Sequence, residues 1–133
     1  MIRLTVEQVI KLHKELIEAT GGSPGFLNKE MLYSALSSPF QTFDGEDVNP
    51  TIEEKAAKLA YFLISNHCFV DGNKRIGIYV MLVFLELNNI LLAYTQRELI
   101  DLGLGTANGK LNDTDILAFI NEHKKGASNV TPF

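Results

Sequence analysis

At 133 residues the chain has the length of one ordinary domain, enough to enclose a single hydrophobic core. Its 46% hydrophobic and 21% charged residues exclude an intrinsically disordered chain. A net charge of −4 argues against nucleic acid as the main partner, so no direct DNA binding is expected, and Cys68, the only cysteine, excludes an internal disulfide and points to a reducing compartment.

The N-terminal MIRLTVEQVI passes straight into an amphipathic pattern and lacks the apolar core of a signal peptide. The first helix starts after Thr5, a good N-cap, and turns Val6, Val9, Ile10, Leu12, Leu16 and Ile17 inward. Gly21 and Gly22 end it, and Gly-Ser-Pro-Gly at 22–25 forbids a continuation. Asn28 caps a short second helix with Met31, Leu32, Ala35 and Leu36 on its inner face. Between Ser37 and Pro50, turn formers surround isolated aromatics, which reads as a long loop, and a loop of that length in a small domain is usually functional.

Thr51 with Glu54 forms a capping box that opens a strong helix ending near Asn66 and His67, with Ala56, Leu59, Ala60, Leu63 and Ile64 inside. After a loop at 68–73 the next helix starts near Lys74 and runs to Asn88 and Asn89. Its apolar stretch, 76–87, is too short to span a bilayer and reads as a buried core helix, so a cytoplasmic protein without a membrane partner is expected. Residues 90–94 could form a lone strand. Thr95 and Glu98 make a second capping box, opening a helix that fades between Gly103 and Gly109, and Asn112 opens a last one that buries Ile116, Leu117, Phe119 and Ile120. The fold class is all-α, an irregular bundle of about six helices, with one domain over 1–125, a flexible tail over 126–133, and the chemistry in the loop between the two central helices.

That loop reads Asn66-His67-Cys68-Phe69-Val70-Asp71-Gly72-Asn73-Lys74-Arg75. Gly72 lets the backbone turn tightly and approach a ligand. The N–H groups opening the following helix are unsatisfied and sit at the positive end of its dipole, a natural anion site. Lys74 and Arg75 place two positive charges there, against the dipole, and an anionic ligand corrects that mismatch. Asp71 among these anion-seeking groups makes sense as a magnesium ligand, because magnesium takes one or two carboxylates plus substrate phosphates. His67, ending the preceding helix, is a candidate proton acceptor near neutral pH. Each residue also has an ordinary reading: a dipole-favoured histidine, a common Asp-Gly-Asn turn, a solvated basic face. The combination favours the functional one.

The run His67-x-Phe69-x-Asp71-Gly72-Asn73-Lys74-Arg75 resembles the signature of the Fic/Doc superfamily, and specifically its Doc (death-on-curing) branch. Leu12-His13 followed by Gly21-Gly22-Ser23-Pro24-Gly25, and Gly105-Thr106-Ala107-Asn108-Gly109, resemble further Doc segments. AMP-transferring Fic enzymes usually carry Gly where this chain has Lys74 and a second Arg where it has Ile78; both departures are typical of Doc. No Ser/Thr-x-x-x-Glu-Gly/Asn inhibitory segment is present, which fits a toxin restrained by a separate chain.

The resemblance implies a bacterial toxin that phosphorylates a threonine of the translation factor elongation factor Tu, uses ATP and Mg²⁺, and is neutralised by a Phd-type antitoxin. It assigns His67 as the base, Asp71 as the metal ligand, Gly72, Asn73, Lys74 and Arg75 as the holders of ATP phosphates, and Phe69 as the loop's anchor in the core. The loop at 38–49 lies where the family has a flap that clamps the target. Protein adenylylation is the nearest rival activity, and an inactive nucleotide-binding module a rival of another class. Elsewhere structural explanations suffice. Cys68 and His67 point apart and make no nucleophile pair, His13 is expected on the exposed face of the first helix, and His123 suits a last helical turn. A zinc site fails for want of a third ligand.

Overall fold

The computed structural model describes residues 1–125; the tail expected at 126–133 lies outside the described residues. Six helices carry the fold: α1 (Val6–Thr20), α2 (Lys29–Ser37), α3 (Ile52–Ser65), α4 (Asn73–Leu87), α5 (Gln96–Ala107) and α6 (Asp113–His123). The all-α bundle read from the sequence is the architecture observed, with a two-stranded hairpin, β1 (Thr42–Phe43) and β2 (Glu46–Asp47), as its one sheet among the described residues.

Helices α3 and α4 form the central pair. They approach closely because their facing residues are small: a Cβ added to Gly77 would come within 2.6 Å of Ile64 Cγ1 and 3.1 Å of the Ala60 carbonyl oxygen. Around this contact Leu63, Ile64, Ile76, Met81 and Phe84 are fully buried, joined by Leu32 from α2 and Ile116 and Ile120 from α6. Each such side chain contributes on the order of 1.5–3 kcal/mol on leaving water. Helix α1 lays Val9 and Ile17 against the same core from the side of the α3–α4 loop. No helix among the described residues is long and apolar enough to cross a membrane.

Three details depart from the sequence reading. Residues 38–49 are not irregular throughout, since a 3₁₀ turn over Ser38–Phe40 leads into the hairpin. Buried Asn49 donates to the Pro39 carbonyl, and buried Lys55 of α3 reaches the Asn49 carbonyl and Asp47, so polar side chains tie the hairpin's base to the helix. Helix α4 begins at Asn73 rather than Lys74, because Gly72 takes the N-cap position at φ 79. Helix α5 ends at Ala107, within the expected 103–109 span, with Gly103 facing Ile78 and Gly105 fitted beneath Leu111, so packing offsets the low helix propensity of glycine up to that point. Residues 90–94 form no strand. They make a single bridge, Leu92 with Lys124, flanked by bonds from Ala93 N–H to His123 O and from Lys125 N–H to Leu91 O.

Candidate active site

The segment between α3 and α4 is built by backbone turns that few residues tolerate. His67 sits at φ 49, in the left-handed region, which turns the chain sharply out of α3 and leaves its ring exposed. Two residues later Phe69 dives into the core at 1% exposure, its ring 3.7 Å from that of His13 and 5.5 Å from that of Phe26. Asn73 closes the loop from the other end. Its side-chain oxygen accepts from Phe69 N–H at 3.0 Å and its side-chain nitrogen donates to Phe69 O at 3.0 Å. The side chain of Asn73 is therefore spent on loop shape, and what it offers a ligand is its backbone N–H at the start of α4.

Asp71 is the most heavily directed group. Its Oδ1 accepts from Gly72 N–H at 2.8 Å and its Oδ2 from Ser23 N–H at 3.2 Å. The Ser23 and Gly72 amides, with the Arg75 guanidinium nearby, hold the carboxyl below the usual carboxylate range, so it is an anion at neutral pH. Ser23 gets this close because the preceding residue is glycine: a Cβ on Gly22, at φ 121, would lie 2.5 Å from Asp71 Oδ2. The Gly-Gly step that ends α1 thus also brings the following turn onto the carboxylate.

Arg75 faces the same junction. Its NH1 donates to Thr20 Oγ1 at 2.6 Å and to Gly21 O at 2.7 Å, and its NH2 lies 3.5 Å from Asp71 Oδ1. The guanidinium neutralises the carbonyl end of α1 and ties it to α4, leaving part of its donor fork for a ligand. Lys74 is exposed, without an ion-pair partner among the described residues.

His67, Val70, Asp71, Gly72, Asn73, Lys74 and Arg75 line one depression of about 290 Å³, closed by Ile64 and Ala107. Every residue singled out in the sequence except Phe69 meets there, and Phe69 lies beneath it. Beside it, sharing Lys74 and Arg75, runs an apolar groove of about 450 Å³ between α1, α4 and α5, with Leu16, Ile78, Tyr79, Leu82, Leu99 and Leu104 on its walls.

His13 requires a correction. Instead of facing solvent from α1, it is 3% exposed, stacked within 11° of parallel on Phe69, with Nε2 2.7 Å from the Asp71 carbonyl oxygen. The 3.6-residue periodicity in fact puts it four residues from both Val9 and Ile17, in the middle of the buried stripe of α1, and the loop packs over its ring. Cys68 is buried, which pushes its thiol up to about 11 and removes it from nucleophilic chemistry. His123 ends α6, donating from Nδ1 to Phe119 O and from Nε2 to Glu98, remote in sequence from the loop.

Known proteins resemble this chain in sequence. The model of the Fic/DOC family matches residues 3–85. The toxin Doc of Mycolicibacterium smegmatis is 37% identical over 75 residues, which cover 56% of this chain and 58% of that protein. The protein kinase doc of Escherichia phage P1 is 27% identical over 116 residues, 87% of this chain and 90% of the phage protein. Against the first of these the match spans little more than half of the relative's length.

Proposed function

This chain belongs to the Fic/DOC family, and from that premise we propose that it is a member of the Doc branch and the toxin of a toxin–antitoxin pair, a protein kinase that moves the γ-phosphate of ATP to a Ser or Thr hydroxyl of a translation factor, elongation factor Tu foremost. The observation that carries the reading is the convergence of an exposed histidine, an ionised carboxylate and an uncapped, doubly basic helix start around one depression. His67 takes the acceptor hydroxyl's proton as the oxygen attacks. The N–H groups opening α4, with Lys74 and the spare donors of Arg75, bind the phosphates and the charge that builds on them. Phosphoryl transfer asks mainly for such positioning and charge neutralisation.

The residues fit a magnesium ion that arrives with the nucleotide. Among the described residues no group of three or more His, Cys, Asp or Glu could hold a metal alone, while Asp71 offers one half-exposed carboxylate with lone pairs to spare. Magnesium usually binds through one or two carboxylates, waters and substrate phosphates, and there it would supply charge neutralisation.

The apolar groove supports the other half of the reading. A Phd-type antitoxin with a disordered tail would fold an amphipathic helix into it, and its acidic residues would meet Lys74 and Arg75 at the groove's end.

Intact mass of the target after incubation with the protein, magnesium and ATP tests the activity: a gain of about 80 Da means phosphate and about 329 Da means AMP. Label from γ-labelled ATP should reach the target and label from α-labelled ATP should not. The reverse pattern overturns the kinase reading in favour of adenylylation, and no transfer at all favours an inactive nucleotide-binding module. Growth arrest on expression, relieved by co-expressing the neighbouring antitoxin, tests the pairing.

A further inference from the structure

His13 lies outside the motif, 58 residues from Asp71, yet its ring is buried beneath the loop. Its Nε2 stands 2.7 Å from the carbonyl oxygen of Asp71. A carbonyl only accepts, so Nε2 must carry the proton. That carbonyl belongs to the peptide unit joining Asp71 to Gly72, and the N–H of the same unit donates at 2.8 Å to Asp71's own Oδ1. One peptide plane is therefore held at both edges, by His13 at the oxygen and by the carboxylate at the nitrogen. Gly72, at φ 79 and without a side chain, offers little resistance to rotation of that plane. If the plane turns, the N–H leaves the carboxylate, and Asp71 loses one of the two amides that aim it.

We infer that His13 is a positioning residue that, by donating from Nε2 to the Asp71 carbonyl, holds the Asp71–Gly72 peptide and through it the orientation of the Asp71 carboxylate. Its consequence for activity rests on the reading of Asp71 as the metal-bearing carboxylate; its consequence for the loop does not. Stacking on Phe69 supplies the rigidity: the imidazole lies 3.7 Å from the phenyl ring and 11° from parallel, so it cannot swing without opening the core.

Two substitutions separate the donor from the ring. His13→Gln carries an N–H the same number of bonds from Cα as Nε2 but no aromatic ring, whereas His13→Phe keeps the stack and has no donor. Amide hydrogen exchange of the protein without nucleotide reads the loop directly. In His13→Phe the Gly72 N–H should exchange about fivefold to tenfold faster, the range expected for one lost hydrogen bond, while core amides of α3 stay unchanged. His13→Gln should keep exchange close to the original. In the transfer assay His13→Phe should need several-fold more magnesium for half-maximal rate and show a lower kcat, at an unchanged KM for the protein target, with His13→Gln restoring both. Any result in which His13→Gln fails to outperform His13→Phe assigns His13 to packing alone and overturns the inference. Imidazole ¹⁵N shifts of the unsubstituted protein give a check that needs no variant: a neutral ring protonated only at Nδ1 overturns it too. Absence of any transfer activity would sink the functional reading and leave the exchange comparison to decide the role of His13.

Discussion

The six helices do not begin alike. Helices α1, α3, α5 and α6 each open with a reciprocal capping box, formed by Thr5 with Gln8, Thr51 with Glu54, Thr95 with Glu98 and Asn112 with Asp115, and α2 opens on the Asn28 side chain. Helix α4 opens on Gly72 in the left-handed region, with no side-chain cap, no acidic residue in its first turn, and Lys74 and Arg75 in place of one. A capping box returns stability of about 1 kcal/mol to its own helix by using up the first amides. The start of α4 forgoes that and adds charges that repel its dipole. Five helix starts are closed by their own chain, and the sixth is left with amides and cations to offer a ligand. Stability and function divide the helix termini between them.

The largest effect should come from the open end. His67→Ala leaves the loop's bonds between Asn73 and Phe69 and between Asp71 and Ser23 in place, so folding and nucleotide binding should persist while transfer falls by about 10²–10⁴-fold, the usual cost of removing a general base. Single-turnover rates with the purified variant check this, and an unchanged rate removes His67 from the chemistry. Asp71→Asn keeps one acceptor oxygen for the two amides of Ser23 and Gly72 and loses the charge that would hold magnesium. Magnesium-dependent transfer should fall steeply, with Tm changing little because the side chain is half-exposed. Full activity in excess magnesium would reduce Asp71 to a turn residue.

The scaffold, in the core and at the closed ends, should behave in the opposite way. Gly77→Ala drives a methyl group into Ile64 and the Ala60 carbonyl and should cost about 1–3 kcal/mol of stability through overpacking at the central crossing. Thr51→Ala removes one cap and should cost about 1 kcal/mol. Denaturant titration reads both losses, and both variants should transfer phosphate at the original rate wherever they are folded. A Thr51→Ala protein with lost activity and unchanged stability would break the division between scaffold and site.

Much of this was legible because it is local. The caps are local, the boxes at Thr51 and Thr95 each a spacing of three residues, and the inward faces of α1 and α3 follow from periodicity, so helix starts and much of the core read directly from the chain. The motif was legible for the same reason, since 67–75 is one uninterrupted run. What sequence reading missed depends on partners far along the chain. His13 finds its partners at Phe69 and the Asp71 carbonyl in the α3–α4 loop, and Arg75 finds its bonds at Thr20 and Gly21. Gly22 reads as a helix breaker, whereas its missing Cβ also admits the Asp71 carboxylate. The signal for His13 was its spacing of four residues from Val9 and from Ile17, which marks the buried face of α1 without disclosing what the ring touches.

The smallest effect concerns Glu98, which serves two ends at once. Its Oε1 completes the capping box of α5 by accepting from Thr95 N–H at 2.8 Å, while its Oε2 accepts from His123 Nε2 at 2.8 Å at the end of α6. The Nδ1 of His123 donates to Phe119 O at 2.7 Å, so both ring nitrogens face acceptors and the ring is held as a cation. The Glu98 carboxylate, followed by the Phe119 carbonyl, raises His123 above its ordinary value, and the His123 and Thr95 donors lower Glu98. The raised histidine contributes stability that is fully present below about pH 6.5 and fades as pH rises through its folded value. The lowered carboxylate contributes above about pH 4.3 and loses it as pH falls through its folded value. Both contributions coexist only between those limits. Glu98→Gln keeps an oxygen for the α5 cap and deletes the charge, so its Tm should fall furthest below the original near pH 5–6 and converge with it in alkali. Because the pair is partly exposed and lies at closed helix ends, the deficit should shrink with added salt and leave phosphate transfer untouched. A deficit that grows above pH 8 would show that the cap, rather than the ion pair, is what the substitution removes.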